Sequence, residues 1–412
     1  MWRTRQFLPR FAHLLSNRRP SDAVFHHKGS GPSFIGRSRP EQPLRNTRSH
    51  RMLALTAAVL VASQSGALAI ASASNPTRTT SQATTKIKPD YSFFKGKTVT
   101  IVVNSALTAQ NALISAAVQA GWQHYLHATI NIDAVPGEPD TAQEDTVLQA
   151  APDGLTLGIQ GLATPLLEVF TNSGLPSVPM AKASWIGGAG NAPLVLVACG
   201  QPPSPSITSF AQLIQGGTQA NVLSTGPSSS TEWVHLLMNA YPIPHRYITG
   251  YSSNSISAGC ERGDGNLDSG GVAKVLNSTQ TGFVPGASPL LLTGPEPKGS
   301  KLDFLNSEIP TLATFAKKHL SKTAAGKEAV KLAIQDFATN APNPFFFTTP
   351  GVPKTRVLAL TDALQRAMRE AATKQALLLI GTPPAFVSPE IIAATYKGGL
   401  KHEPIILRFL NN

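Results

Sequence analysis

Cysteine is scarce in this chain: Cys199 and Cys260 are the only two in 412 residues. That excludes a small scaffold stapled by many disulfides. A thiolate zinc site is excluded as well, because neither cysteine has a partner at ligand spacing and the histidines are scattered. The two thiols permit either one bridge or two buried free thiols, and spacing does not choose between them. An uninterrupted apolar run of about 18 residues, the usual length for a membrane-spanning helix, is also missing. The nearest approach, MLALTAAVLVA at residues 52–62, is broken by Ser63, Gln64, Ser65 and Gly66. No serine stands in a G-x-S-x-G elbow, and no G-x-G run is followed by the helix and acidic partner of a dinucleotide site.

Acidic residues are nearly absent from the N-terminal region. Asp22 and Glu41 are the only acids in residues 1–73, which hold 11 of the 35 Lys and Arg. The formal net charge of +12 is therefore unevenly placed: 24 bases face 21 acids in the rest of the chain. A body this close to neutral argues against a nucleic-acid footprint. Arg48, His50 and Arg51 precede the short apolar run, and A-x-A sites follow it through Ala73. Basic residues, a short apolar stretch and small residues in that order make residues 1–73 a leader with a signal peptide. The 51 residues ahead of Met52 read either as an upstream start-site extension or as a long Arg-rich leader. No cysteine follows the apolar run to carry a lipid anchor.

Residues 74–90 (SNPTRTTSQATTKIKPD) are polar and rich in Thr and Ser, a flexible linker. From Tyr91 short β-branched runs alternate with longer helical ones. Strands are expected at 98–103 (TVTIVV), 129–135, 155–159, 194–198, 221–224, 247–250 and 290–293. Helices are expected at 109–126, 141–150, 209–215 behind a Ser209 cap, 231–240 and, as one long segment, 354–380. Alternation of this kind implies parallel βαβ units.

Seven short motifs occur in one order: FKGKTVTIVV at 94–103, APDGLTLG at 151–158, WIG at 185–187 before PLVLV at 193–197, STG at 224–226 followed by His235-Leu236, ERGD at 261–264, IPTL at 309–312 and GVP at 351–353. In this order they resemble the substrate-binding components of tripartite tricarboxylate transporters, the Bug receptors. The resemblance implies an α/β fold of the periplasmic-binding-protein type (type II, Venus flytrap), with the ligand cleft between two lobes. It implies lobe 1 at 91–195, lobe 2 at 196–315 and a return to lobe 1 with C-terminal helices at 316–412. It further implies a non-enzymatic, exported receptor in the periplasm or at the extracytoplasmic surface. Such a receptor takes a small carboxylate, needs no cofactor, and hands its cargo to a polytopic permease subunit and a small membrane subunit. A ligand sensor or degenerate binder without transport is the alternative, and a secreted hydrolase a remoter one.

The family holds carboxylates with one strand-to-helix loop per lobe. Backbone N–H groups at a helix start, aided by the helix dipole and by hydroxyls, supply the donors. The matching loop of lobe 1 is 104–111 (NSALTAQN), with Asn104, Ser105, Thr108 and Asn111 as candidate donors. It lacks the family's glycines, and a loop that merely caps its helix is an equal reading. In lobe 2 the loop is 225–231 (TGPSSST), placing Thr225, Gly226, Ser228, Ser229, Ser230 and Thr231 at the site. A third approach at 250–255 adds Tyr251, as a cleft wall or a packed core ring, and Ser252. Arg246 and Arg262 are candidate sources of positive charge or plain surface residues. On paper a serine of 228–230, His235 and Asp264 also compose a hydrolytic triad.

Overall fold

The structure is a computed structural model that describes residues 87–104, 110–135, 141–200, 207–226, 231–251, 255–272, 286–300, 302–335 and 344–410. The expected leader (1–73) and the linker up to residue 86 lie outside the described residues.

The first sheet contains β1 (Thr98–Val103), β2 (Thr129–Ala134), β3 (Thr156–Gln160), β4 (Ser184–Gly188) and, from much later in the chain, β10 (Phe345–Thr348). The second contains β5 (Leu194–Ala198), β6 (Ala220–Leu223), β7 (His245–Ile248), β8 (Leu267–Gly271) and β9 (Ser288–Leu292). The helices between them are α1 (Gln110–Leu126), α2 (Thr141–Leu148), α3 (Ala163–Thr171), α4 (Phe210–Gln215), α5 (Glu232–Ala240), α6 (Ile256–Arg262), α7 (Leu305–Glu308), α8 (Leu312–Lys318) and α9 (Ala324–Ala333). After β10 come α10 (Lys354–Ala367), α11 (Ala371–Leu379), α12 (Pro389–Gly399) and α13 (Glu403–Leu410).

Strand order is β2-β1-β3-β10-β4 in the first sheet and β7-β6-β8-β5-β9 in the second. The pairs β1–β2, β1–β3, β6–β7 and β6–β8 are parallel, as the βα alternation requires. Purely parallel sheets are not formed, however: β10 is antiparallel to β3 and β4, and β5 to β8 and β9. The reason is topological. Each antiparallel strand is the one by which the chain enters its lobe from the other, and it inserts beside the strand by which the chain leaves. Each entering strand also carries a register irregularity, at Phe346/Phe347 and at Leu196/Val197.

Packing follows from these runs. The apolar faces of β1 and β10 close on α1 and α10, burying Ile101, Ile114, Trp122, Phe346, Leu360 and Leu364. Gly158 on β3 is needed where it stands, because the ring of Phe347 occupies the space a Cβ would fill. Ser209 caps α4, accepting from Gln212 N–H, as its sequence suggested. The long helix expected at 354–380 is broken into α10 and α11, with Glu370 in an extended conformation between them. Near the break α1 packs tightly on the chain: a Cβ on Gly121 would lie 2.8 Å from Ala367 Cβ and 3.1 Å from Glu370 Oε2.

Helices α8 and α9 pack with lobe 2: Phe315 meets Phe210 and Tyr241 edge-on, and Ala329 and Val330 join the cluster around Trp233. Both helices run past residue 315, and α9 packs on α5. Ile406, Phe409 and Leu410 of α13 lie in the same cluster as Leu166 and Phe345 of lobe 1 and Leu237 of lobe 2. Asn239 on α5 donates to the Phe409 carbonyl.

Candidate functional site: the strand ends of the two lobes

In open α/β sheets, ligand sites form outside the carboxyl ends of the parallel strands. Two such edges exist here, one per lobe. In lobe 1 the ends of β1 and β3 are clamped by side-chain amides. Gln143 on α2 donates its Nε2 to Val102 O (2.6 Å) and to Ile159 O (2.9 Å). Asn111, in the first turn of α1, also donates to Ile159 O, at 3.4 Å. Its amide therefore serves to tie α1 to β3. Asn104 stands directly after β1, half-buried. Of the remaining lobe 1 candidates, Ser105 and Thr108 lie outside the described residues.

A buried polar group that no local signal marks lies beneath this edge. Gln160, the last residue of β3, donates to Glu144 Oε1 at 2.6 Å, and Glu168 on α3 is equally buried. Tyr396 on α12 lies near both carboxyls; burial first, then the charges of Glu168 and Glu144, push its phenol up to about 12. Nothing in TAQEDTVL distinguishes a buried Glu144 from a solvated one, because α2 is short and mixed in polarity.

In lobe 2 the chain leaves β6 at Ser224, which is fully buried. Its hydroxyl meets Thr231 Oγ1 at 2.8 Å and also bonds Gly226, accepting from its N–H at 3.2 Å. Gly226 has φ +155, a conformation that disfavours other residues. The Ser224–Thr231 bond draws the two ends of the 225–231 loop together. It also turns the Thr231 hydroxyl inward, at 3% exposure, so Thr231 closes the loop. Tyr247 on β7 supports the same point, donating to Thr231 O at 3.0 Å. Thr225 is half-buried, and Ser228, Ser229, Ser230 and Ser252 lie outside the described residues.

Glu232 opens α5 and is 4% exposed, with His235 Nδ1 at 3.1 Å from its Oε2. Burial raises the Glu232 pKa, and the His235 contact offsets only part of that rise. Tyr251 packs its ring over Gly259 of α6, among Leu223, Ile248 and Ile256. Its hydroxyl donates to Asp264 Oδ2 at 2.8 Å, and Arg262 reaches the same oxygen at 2.6 Å. These two bonds hold the Asp264 carboxyl below its ordinary value. Arg262 is thereby committed to Asp264, and Arg246 is exposed on β7. His235 and Asp264 each have other partners, so the paper triad is not assembled among the described residues. Cys199 and Cys260 form a disulfide, with their Cα atoms 5.4 Å apart, joining the end of β5 to α6.

The two edges approach one another at Gln110 and Gly271. A Cβ on Gly271, the last residue of β8, would lie 3.3 Å from Gln110 Oε1, at the start of α1. The amide of Gln110 in turn donates to Ile380 O (3.0 Å) and Thr382 Oγ1 (3.1 Å). The carboxyl end of a lobe 2 strand thus abuts the first turn of a lobe 1 helix.

The fold recurs in known structures. The periplasmic binding protein BugD superposes with a TM-score of 0.60 at 15% identity, covering 76% of this chain and 98% of BugD. This is the fold of the two-lobed periplasmic binding proteins. MatC (Rpa3494) from Rhodopseudomonas palustris, solved with bound malate, gives a TM-score of 0.59 at 19% identity, over 76% of this chain and 99% of that one. R. palustris Rpa4515, solved with adipate, gives 0.60 at 15% identity, over 76% and 97%. No protein-family model matches the sequence, and neither does any curated protein. Among the described residues no helix is long and apolar enough to cross a membrane, and no cluster of His, Cys, Asp and Glu is suited to a metal ion.

Proposed function

We propose that the protein is an exported receptor of the tripartite tricarboxylate type, which closes its two lobes on a small carboxylate. The observation that carries this reading is the meeting of the two parallel-strand edges at Gln110 and Gly271, with a strand-loop-helix junction on either side. Each junction ends at a helix N-terminus, where unpaired N–H groups and the positive dipole end favour an anion. Asn104, Ser105 and Thr108 from lobe 1, and Gly226, Ser228, Ser229 and Ser230 from lobe 2, would supply the donors, with Ser252 on the third approach. Solved proteins of this fold hold malate and adipate, which makes dicarboxylates the first ligands to try.

Catalysis is not part of the proposal, because His235 pairs with Glu232 and Asp264 with Tyr251 and Arg262. Export is supported by the basic stretch, short apolar run and A-x-A sites of residues 48–73. Delivery to a permease is the family's use of this fold. A sensor without transport is the second reading, favoured by the glycine-poor 104–111 loop.

A ligand-retaining mass spectrum of the exported protein, followed by calorimetry with malate, adipate and an aromatic acid, tests the proposal. A hydrogen bond to a charged group contributes roughly 1.5–3 kcal/mol. Ser105→Ala and Ser229→Ala should therefore each weaken carboxylate binding about tenfold or more while the fold is kept. Unchanged affinity in both variants, or no binding of any carboxylate, would sink the reading.

A further inference from the structure

Glu296 follows β9, on a loop pinned to the start of lobe 2. Leu194 N–H donates to Thr293 Oγ1 and Thr293 N–H to Leu194 O, both at 2.8 Å. The backbone of Glu296 itself is held by Asn306, whose Oδ1 accepts from its N–H at 2.8 Å and whose Nδ2 donates to its carbonyl at 3.2 Å. The side chain is 3% exposed, and neither carboxyl oxygen has a hydrogen-bond partner.

What the carboxyl meets belongs to the other lobe. A Cβ on Gly381 would lie 2.9 Å from Glu296 Oε2 and 2.9 Å from Leu302 Cδ1. Gly381 has φ +69 and begins a segment bound to lobe 1 at several points. Gln110 holds Ile380 and Thr382, Gly190 N–H donates to Pro383 O at 3.2 Å, and Gly188 and Val387 exchange both backbone bonds. That segment also lines residues 189–193, where the chain crosses from β4 to β5.

A buried carboxylate with neither a cation nor donors is costly, so such a group keeps its proton. Burial first, and then the charge of Asp303, push Glu296 up to about 8. Gly381 and Leu302, which lie together with the carboxyl, do not titrate. On its own loop Asp303 is the charge that bears on it; Lys298 acts on Asp303, and no described cation pairs with Glu296.

We propose that Glu296 is a proton-controlled lock on the junction between the lobes. In its acid form the uncharged carboxyl packs on Gly381 and holds the 293–300 loop against the 380–387 segment; ionisation drives it to water and loosens the junction. The inference stands whether or not the cleft takes a carboxylate.

The sign follows from the raised value. With the junction closed Glu296 titrates at about 8, and exposed it returns towards 4.5. The stabilisation is therefore complete below about 4.5 and is lost as the pH rises through about 8. Hydrogen exchange of the full chain at the Gly381 and Thr382 amides, corrected for the intrinsic pH dependence, reads the opening constant. It should rise on the order of a hundredfold between about pH 6 and pH 8.5. Glu296→Gln, which stays neutral, should show no such rise and should keep its protection at high pH. Asp303→Asn, which removes the like charge, should bring the plateau to lower pH and shrink the rise. Parallel corrected profiles for the wild type and Glu296→Gln would overturn the proposal, as would a plateau unmoved by Asp303→Asn.

Discussion

In the first sheet the entering strand β10 lies between β3 and β4; in the second, β5 lies between β8 and β9. The two lobes thus repeat one strand plan, each with three parallel strands, an antiparallel entrant and an exit strand. They differ in what fixes the strand ends near the site. Lobe 1 uses amide side chains, Gln143 and Asn111, aimed at backbone carbonyls. Lobe 2 uses a hydroxyl pair, Ser224 with Thr231, and a covalent bridge between β5 and α6. The same topology therefore leaves its loops to be secured by whatever chemistry the local sequence offers. The bridge suits an oxidising compartment, and the amides suit any.

The largest test of this contrast removes the central ring of each lobe. Trp122 and Trp233 are both fully buried, and each indole N–H is satisfied, the first by Leu360 O and the second by Ser269 Oγ. Truncating either to Ala should cost about 3–5 kcal/mol by urea denaturation. Trp122 belongs to a cluster confined to lobe 1, whereas the cluster of Trp233 continues into lobe 1 through Val102, Leu166 and Phe345. Trp233→Ala should therefore lower the stability of both lobes together, and Trp122→Ala that of lobe 1 first.

Next in size is the bridge. Replacing Cys199 and Cys260 by Ser should cost about 2–4 kcal/mol, confined to lobe 2. Thermal melts with and without reductant check this: reductant should lower the wild-type midpoint and leave the double variant unmoved. Gln143→Leu should follow, at about 1–3 kcal/mol, because it strips a donor from two buried carbonyls. Loss of exchange protection at the ends of β1 and β3, with lobe 2 unaffected, is its signature. Ser224→Ala comes last, at about 0.5–1.5 kcal/mol for each neutral hydrogen bond its hydroxyl makes, to Thr231 and to Gly226. Its effect should appear in carboxylate affinity, since the freed Thr231 end no longer fixes the 225–231 loop. An unaltered binding isotherm would show that the hydroxyl pair does not shape that loop.

Much of the fold was legible because its signals are local. The run Thr98–Val103 announces β1 by β-branching alone, and Ser209 announces α4 by its cap. Strands β4, β8 and β10 were not legible as strands: WIGG and LDSGG carry glycines, and FFFT is buried on both faces without alternation. Their identity comes from partners far along the chain, as when Phe345 pairs with Gln160 on one side and Gly188 on the other. At the site, the loops could be located by position, but the partner of each side chain could not. The bond of Thr231 to Ser224, and the hold of Gly259 and Asp264 on Tyr251, join residues that no local signal pairs. Glu296 gave no signal at all in the sequence, because its carboxyl meets Gly381, far along the chain.

The placement of β10 also sets an order of events as the chain is made. All five strands of lobe 2 lie within residues 194–292, so its sheet has every strand in hand soon after they emerge. Lobe 1 begins earlier but waits for residues 345–348 before its middle is filled. Until then β3 has one open edge and β4 lacks its neighbour, the kind of exposed strand edge that invites pairing with another chain. The half that emerges first is thus completed last, and for the length of the whole second lobe it relies on being kept from other chains.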